Sequence, residues 1–324
     1  MIDVMTGAPA APTRTWTYFD GAWREGNTQI LGVRSHGAWL GSVVFDGARA
    51  FGGLAPDLDK HLARVNRSAV AMGLEPVVTE ASWAALCVEG FEHFAPDAAL
   101  YIRPMYWAES GYGGGVRFDP ASTNWCLTLY EAPMPPPRDI AVTLSPFRRP
   151  TAETAPVDAK ASCLYANGAR ALMEAARRGF DNCLMLDALG HVTEFANSNA
   201  FMVKNGVVFT PFPNGTFLNG VTRQRVIGLL RKAGVEVIET SLTYADFVAA
   251  DEIFSTGNFQ KVAPITRIDT RELAPGPVFG NVRACYLSFA KSTHYKELCG
   301  AESSIYAREG ASQNETKKRV LLER

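Results

Sequence analysis

Residues 158–199, near the middle of the chain, have the sequence DAKASCLYANGARALMEAARRGFDNCLMLDALGHVTEFANSN. The only lysine of this segment, Lys160, stands just before a run with helical periodicity. Its carboxylate Glu194 follows a strand-like run and a glycine turn. The segment therefore brings an amine and an acid to the ends of regular elements, where a small molecule could be held between them.

Strand and helix patterns alternate on both sides of that segment. In the second half we predict helices over 163–178, 222–233 and 245–249, and strands over 141–145, 182–187, 200–204, 207–210, 236–240 and 252–255. In the first half we predict a hairpin about Asp20-Gly21, a buried strand within SHGAWLGSVVFDGARAFGG, helices over 57–74 and 79–94, and adjacent strands at ALYIRPMYW and TNWCLTLYEA.

Three prolines, Pro135 to Pro137, interrupt the pattern because they cannot continue a sheet and they stiffen a connector. We therefore predict a small N-terminal α/β domain over 1–132, a proline-rich linker over 133–140 and a larger domain over 141–292. Residues 293–324 are polar with weak periodicity, which indicates a disordered tail or an appended segment.

Composition narrows the function classes. The chain has 324 residues, a formal net charge of −1, 47% hydrophobic residues and no basic stripe, so nucleic acid is not an expected partner. The start lacks an apolar core of signal-peptide length and no run approaches about 18 apolar residues, so we expect a cytoplasmic protein outside the membrane. Six cysteines without CxxC spacing are expected to be reduced core thiols, and no metal site is predicted.

Among the nine lysines, two are candidates for chemistry. A lysine that reacts with an aldehyde must be neutral part of the time, and it is therefore kept out of bulk water. Lys160 lies among small residues in VDAKASC, whereas Lys261 lies on the strand-like FQKVAPI. Spacing favours Lys160 without excluding Lys261.

Three separated motifs occur in one order along the chain: KASCLYANGARALMEAARRGFDNCLMLDALGHVTEFANSNAFMVKNGVVFTP, then FLNGVTRQRV, then ADEIFSTGNFQKVAPITRID. Together they resemble the fold-type IV pyridoxal-phosphate (PLP) aminotransferases, above all the branched-chain amino acid aminotransferases. The resemblance covers roughly Trp16 to Lys291. It implies an α+β fold, with a small α/β domain and a larger pseudo-barrel α/β domain, and it implies PLP as the cofactor.

The resemblance also implies roles for individual residues near the cofactor ring. Lys160 would be the Schiff-base lysine and the proton shuttle, and Glu194 would pair with the pyridine nitrogen and favour its protonated form. Tyr165 would donate to the phenolic oxygen. From the residues alone, a helix cap or an ion-pair partner is the preferred explanation of Glu194, and Tyr165 is equally well explained as a core tyrosine.

A phosphate dianion is best received by amides at the start of a helix, with a hydroxyl and an arginine to complete the contacts. The segment LNGVTRQRV offers Val221 and Thr222 for this purpose, although an ordinary threonine cap would look the same. The resemblance adds Arg64, with Arg67 one turn away as the alternative, and it places Asn258 where many relatives carry a threonine.

On the substrate side, the resemblance assigns Tyr101 and Arg103 of YIRP to a pocket that meets carboxylates, and Phe45 to its apolar wall. Leu40 and Phe259 depart from the branched-chain pattern, since a tyrosine and a small residue are usual there. The pocket could therefore accept a bulkier apolar group or a different amine.

The leading interpretation is a ping-pong transaminase that acts on a hydrophobic amino acid and 2-oxoglutarate. Two alternatives with the same fold are an (R)-selective amine or D-amino acid transaminase and an aminodeoxychorismate lyase; a third is a binding protein without catalysis. Because pockets of this fold are built at a dimer contact, the resemblance also implies a homodimer or a higher oligomer.

Overall fold

The computed structural model describes residues 13–135 and 138–295. The described chain divides into two compact units. The N-terminal unit comprises 13–133, 159–163 and 291–295, and the C-terminal unit comprises 134–135, 138–158 and 164–290. The predicted domain limits stay a prediction. In the structure the short segment 159–163, which contains Lys160, groups with the N-terminal unit. Most of the predicted tail lies outside the described residues.

The N-terminal unit is an antiparallel sheet with two long helices. In chain order its elements are β1 (Thr15–Phe19), β2 (Ala22–Glu25), α1 (His36–Leu40), β3 (Val43–Phe45), β4 (Ala48–Ala50), α2 (Leu58–Met72), α3 (Glu80–Phe91), β5 (Leu100–Ala108) and β6 (Thr123–Glu131). The strand order is β2-β1-β6-β5-β3, and β4 also pairs with β5.

Several predicted elements of this unit are confirmed. Asp20 and Gly21 both have positive φ, 54° and 78°, as the tight turn between β1 and β2 requires. Helix α2 ends at Gly73, whose φ of 82° suits a glycine cap. The segment SHGAWLGSVVFDGARAFGG differs from its prediction: it forms α1 and then two short strands, because Gly41 (φ 76°) ends the helix.

The C-terminal unit contains two five-stranded sheets. Its elements are β7 (Ala141–Arg148), α4 (Tyr165–Arg177), β8 (Asn182–Leu186), β9 (Val192–Phe195), β10 (Asn199–Lys204), β11 (Val207–Pro211), α5 (Val221–Lys232), β12 (Val237–Thr240), α6 (Tyr244–Val248), β13 (Glu252–Gly257), β14 (Lys261–Ile265), β15 (Arg267–Ile268), β16 (Arg271–Glu272) and α7 (Pro277–Ala290). The sheet orders are β12-β11-β10-β13-β14 and β16-β15-β7-β8-β9.

The two sheets of the C-terminal unit share one hydrophobic core. Phe195 on β9, Met202 on β10, Phe247 on α6 and Ile253 on β13 are among its buried members. This packing fixes β9 against β10, so that side chains near the end of one strand can reach those at the start of the other. The described residues include no helix long and apolar enough to cross a membrane.

The cysteines only partly match the expected core thiols. Cys87, Cys126 and Cys183 are buried, whereas Cys163 is exposed and Cys285 is half-buried. Burial raises the pKa of Cys126 to about 12 and that of Cys183 to about 11, so both thiols stay protonated at neutral pH. Cys299 lies outside the described residues.

Candidate active site

Lys160 is fixed through its backbone in the N-terminal unit. Its amide donates to the Ser68 hydroxyl on α2 (3.0 Å), and its carbonyl accepts from the Phe45 amide on β3 (3.1 Å). The half-buried side chain places Nζ 4.8 Å from the centre of the Phe45 ring. Strand β3 and helix α2 therefore fix the backbone of Lys160, and the ring of Phe45 covers one side of its amine.

Arg64 lies on the buried face of α2, whereas Arg67 is exposed. The Arg64 guanidinium donates to Asp46 through Nε (2.6 Å) and Nη2 (2.8 Å), and Nδ1 of His61 lies 2.7 Å from the same carboxylate. Burial alone would raise the pKa of Asp46, but Arg64 and His61 hold it well below its ordinary value. Asp46 is therefore a fixed anion that sets the direction of Arg64.

Tyr101 and Arg103 lie two residues apart on β5, so they share one face of the sheet. Tyr130, the cross-strand neighbour of Tyr101 on β6, stacks with it at a ring distance of 5.2 Å. Arg103 Nη2 donates to the Tyr130 hydroxyl (2.7 Å), and its guanidinium lies over both rings. The buried Nε of Arg103 has no hydrogen-bond partner within the described chain. This cluster presents a cation on an aromatic surface, which suits a carboxylate.

Gly47 makes the approach of Tyr101 possible. A Cβ at position 47 would stand 2.0 Å from the Tyr101 hydroxyl oxygen, which no side chain could tolerate. Leu40, the last residue of α1, is 37% exposed, and Phe45 on β3 is half-buried. The N-terminal unit thus holds six of the predicted residues: Leu40, Phe45, Arg64, Tyr101, Arg103 and Lys160.

Glu194 is a buried carboxylate of the C-terminal unit. It lies on β9, and Arg149 Nη2 stands 3.2 Å from its Oε1. Asn199, at the start of β10, donates from Nδ2 to Glu194 Oε2 (3.2 Å) and to the carbonyl of Leu218 (3.0 Å). The arginine and the amide together fix the position of this carboxylate.

Asn199 also connects Glu194 to the start of helix α5. A Cβ at Gly220, the residue that precedes α5, would lie 2.2 Å from Asn199 Oδ1. Gly220 has no side chain to cap the helix, and the buried Val221 and Thr222 form its first turn. The first amides of a helix carry partial positive charge and lack partners within the helix. This helix start can therefore receive an anion.

Two polar atoms on β13 and its following loop lack partners. Thr256 is the register partner of Asn199 and is 1% exposed. Thr256 Oγ1 and Asn258 Nδ2 are buried, and neither has a hydrogen-bond partner among residues 13–135 and 138–295. Buried polar atoms of this kind require an explanation, and a bound anion would supply acceptors for both.

The remaining predicted residues of the C-terminal unit lie at the surface of the described chain. Tyr165, the first residue of α4, is 41% exposed, and Phe259, in the loop after β13, is 57% exposed. Within this unit the structure brings Glu194 close to the start of α5 through Asn199.

Sequence reasoning did not identify Asp46, Tyr130, Arg149, Asn199 and Thr256. The strand alternation of TNWCLTLYE could have indicated Tyr130, because it lies opposite the YIRP segment once β5 and β6 are paired. Arg149 had no signal of its own, since its partner Glu194 is distant in sequence.

Solved structures share this α+β fold. An aminotransferase from Brucella abortus bound to the co-factor PLP is 55% identical with a TM-score of 0.85, covering 86% of this chain and 100% of that chain. A branched-chain aminotransferase from Thermoproteus uzoniensis with norvaline is 29% identical with a TM-score of 0.79, covering 88% and 97%. The fold predicted from the resemblance, an α+β fold of type IV, is therefore confirmed.

Sequence comparison identifies the family. The profile of amino-transferase class IV matches residues 43–268. A branched-chain-amino-acid aminotransferase of Pseudomonas aeruginosa is 30% identical over 288 residues, which are 83% of this chain and 91% of that protein. A putative branched-chain-amino-acid aminotransferase of Methanocaldococcus jannaschii is 33% identical over 263 residues, which are 78% and 88%. The chain belongs to the class IV aminotransferases.

Proposed function

We propose that this protein is a PLP-dependent transaminase that moves an amino group between a hydrophobic amino acid and 2-oxoglutarate by a ping-pong mechanism. The names of its relatives and of the PLP-bound neighbour support this proposal. The observation that carries it is the group around Asn199, which joins a buried acid to the start of a helix and is the register partner of Thr256, whose buried hydroxyl has no hydrogen-bond partner in the described part of the chain.

The residues of the C-terminal unit fit PLP at its two charged ends. Glu194, paired with Arg149 and Asn199, would accept from the protonated pyridine nitrogen. The amides of Val221 and Thr222, the Thr256 hydroxyl and the Asn258 amide would donate to the phosphate. The orphaned Thr256 Oγ1 and Asn258 Nδ2 support this assignment, because a phosphate oxygen would satisfy both.

When bound, PLP supplies an aldehyde that reacts with amines and a ring that accepts electrons. We propose that Lys160 would hold this aldehyde through Nζ and, once displaced by the substrate amine, would carry a proton from the substrate carbon to the carbon of the former aldehyde group. Glu194 would stay ionised and keep the ring nitrogen protonated. The hydroxyl of Tyr165 would donate a hydrogen bond to the phenolic oxygen of the ring. Arg64, held by Asp46, would add a contact to the phosphate.

The cluster of the N-terminal unit would select the substrate. The guanidinium of Arg103 lies over the stacked rings of Tyr101 and Tyr130. We propose that it binds a carboxylate through Nε, which has no hydrogen-bond partner in the described chain. Phe45 and Leu40 would form apolar wall. A site with a cation and an apolar surface could accept a dicarboxylate in one half-reaction and a hydrophobic side chain in the other.

A second candidate, an (R)-selective amine or D-amino acid transaminase, draws support from the two departures. Leu40 and Phe259 both expose apolar surface, at 37% and 57%, where a tyrosine and a small residue were expected. Mixing PLP-loaded protein with single L-amino acids, D-amino acids and chiral amines, and following the loss of its visible absorbance, would separate the candidates. Leucine and valine in the L form are expected to react first. Release of pyruvate without a keto acid acceptor would instead indicate the lyase.

The assignment of Lys160 has a direct test. The PLP-loaded protein is reduced with borohydride, digested and mapped by mass spectrometry. The label is expected on Lys160, and a label on Lys261 would contradict the proposed site. Lys160→Ala should lose transamination while its melting temperature stays close to that of the wild type.

We also propose a cytoplasmic homodimer, for which light scattering of the holoenzyme gives the mass.

A further inference from the structure

The ammonium group of Lys261 contacts the carboxamide of Asn258. Nζ donates to Asn258 Oδ1 at 2.6 Å, and Lys261 is 3% exposed although it carries a charge. The two residues lie at opposite ends of the loop that joins β13 to β14, in which Gly257 is the register partner of Lys261. A buried lysine costs free energy unless its charge is satisfied, so this contact contributes to the reason why the residue is tolerated.

This hydrogen bond decides which way the Asn258 amide faces. An ammonium group can only donate, so the atom it meets must be the carbonyl oxygen of the amide. The amide nitrogen then points to the other side, where Nδ2 is buried and unpartnered within the described residues. Without Lys261 the amide could rotate by half a turn and present an acceptor there instead.

The backbone does not explain a lysine at this position. Lys261 has a φ of 61°, in the left-handed region that glycine and asparagine favour. A glycine would suit the backbone better, and a non-glycine residue persists at such a position only when other contacts determine it. The hydrogen bond from its side chain to Asn258 is a contact that glycine could not make.

The surroundings of the Asn258 amide have the chemistry of an anion site. Thr256, two residues earlier, also has an unpartnered buried hydroxyl. Thr256 pairs with Asn199, whose side chain abuts Gly220 at the start of α5. A carbonyl oxygen in place of Nδ2 would repel a phosphate oxygen, so the direction of the amide determines whether the site binds or rejects the anion.

We propose that Lys261 is a positioning residue that holds Asn258 with its amide nitrogen toward the cofactor phosphate. This inference rests on the proposed function, because it names the residue that prepares one phosphate contact. Lys261 itself does not touch the phosphate in this proposal; it acts through Asn258. The phosphate contact would be lost when the amide turns.

Equilibrium binding of PLP and of pyridoxal, which lacks the phosphate, to the apoprotein tests the proposal. Lys261→Met should weaken PLP binding by roughly tenfold or more, the effect of one charged hydrogen bond, while pyridoxal binding stays unchanged. Lys261→Arg, which keeps a donor, should restore part of the PLP affinity. In an Asn258→Thr background the hydroxyl rotates freely, so Lys261→Met should have no further effect.

Lys261→Gly separates positioning from stability. It relieves the backbone strain but removes a buried side chain, and it should weaken PLP binding as Lys261→Met does, whichever way the melting temperature of the apoprotein moves. Equal loss of PLP and pyridoxal affinity would overturn the proposal, and so would an effect of Lys261→Met that persists beside Asn258→Thr. If the wild type showed no preference for PLP over pyridoxal and no label on Lys160, the proposed function would fail first. If the wild type prefers PLP over pyridoxal and carries the label on Lys160, but Lys261→Met binds PLP as tightly as the wild type, only the role proposed for Lys261 is refuted.

Discussion

Asp46 offers the sharpest test of how the N-terminal unit is held together. Its carboxylate is fully buried and accepts from Arg64 Nε (2.6 Å), Arg64 Nη2 (2.8 Å) and the Gly47 amide (2.7 Å), with His61 Nδ1 also at 2.7 Å. Asp46→Asn keeps the shape of the side chain but removes the charge and one acceptor. Removing one partner of a buried ion pair costs about 3–5 kcal/mol, so we expect a loss of stability in that range.

Tryptophan fluorescence gives an assay specific to this unit. The six tryptophans of the chain all precede residue 126, so urea unfolding followed by their emission reports on the unit that contains Asp46. The control is Asp97→Asn, which changes an exposed aspartate of the same unit and should shift stability by about 0.5 kcal/mol or less.

The pH dependence supplies an independent measurement. The pKa of Asp46 is lower in the folded protein than in the unfolded chain, so the unfolded state binds its proton more readily. The stabilisation is therefore complete above the unfolded pKa of about 3.9 and decreases as the pH falls toward the folded value. Asp46→Asn should remove this part of the acid sensitivity. A variant with wild-type stability at pH 7 and an unchanged acid profile would refute the ion-pair argument.

Two further predictions concern the C-terminal unit. Gly220→Ala should cost about 1–3 kcal/mol and weaken PLP binding, because its Cβ would lie 2.2 Å from Asn199 Oδ1; Gly228→Ala on the same helix meets nothing within 4 Å and should be neutral or stabilising. Urea unfolding followed by circular dichroism, with PLP titration, checks both variants. Arg149→Met should cost about 3 kcal/mol by leaving Glu194 without its cation, and the cost should shrink in a Glu194→Gln background; additive costs in this double-mutant cycle would show that the ion pair contributes nothing.

Local patterns were sufficient to predict most elements of the fold. The Asp20-Gly21 hairpin and helix α2 follow from signals within a few residues of each element, and both were confirmed. Helix α7 was not predicted although Pro277 at its first position is typical of a helix start; its cap is the carboxylate of Glu252 on β13, which accepts from the amides of Val278 and Phe279. A cap that comes from another strand leaves no mark in the sequence around the helix.

The candidate site shows the same division. Lys160, Glu194 and the start of α5 were proposed as site residues from motifs, whereas the residues that orient them were not. Asp46 directs Arg64, Asn199 connects Glu194 to Gly220, and Lys261 directs Asn258. Contacts such as those of Asp46 and Asn199 depend on which strands and helices pack together, and a motif search reads only neighbours in sequence.

Lys261 shows what the geometry adds to this picture. By spacing it was the second candidate for the reactive amine, since it is a lysine on an apolar strand. In the structure its Nζ donates to the carboxamide oxygen of Asn258 at 2.6 Å, so this side chain is engaged with a neighbouring residue. Lys160 is instead half-buried beside the ring of Phe45, with its backbone bound to β3 and α2. These contacts support the two proposals, attachment of the cofactor through Lys160 and orientation of Asn258 by Lys261.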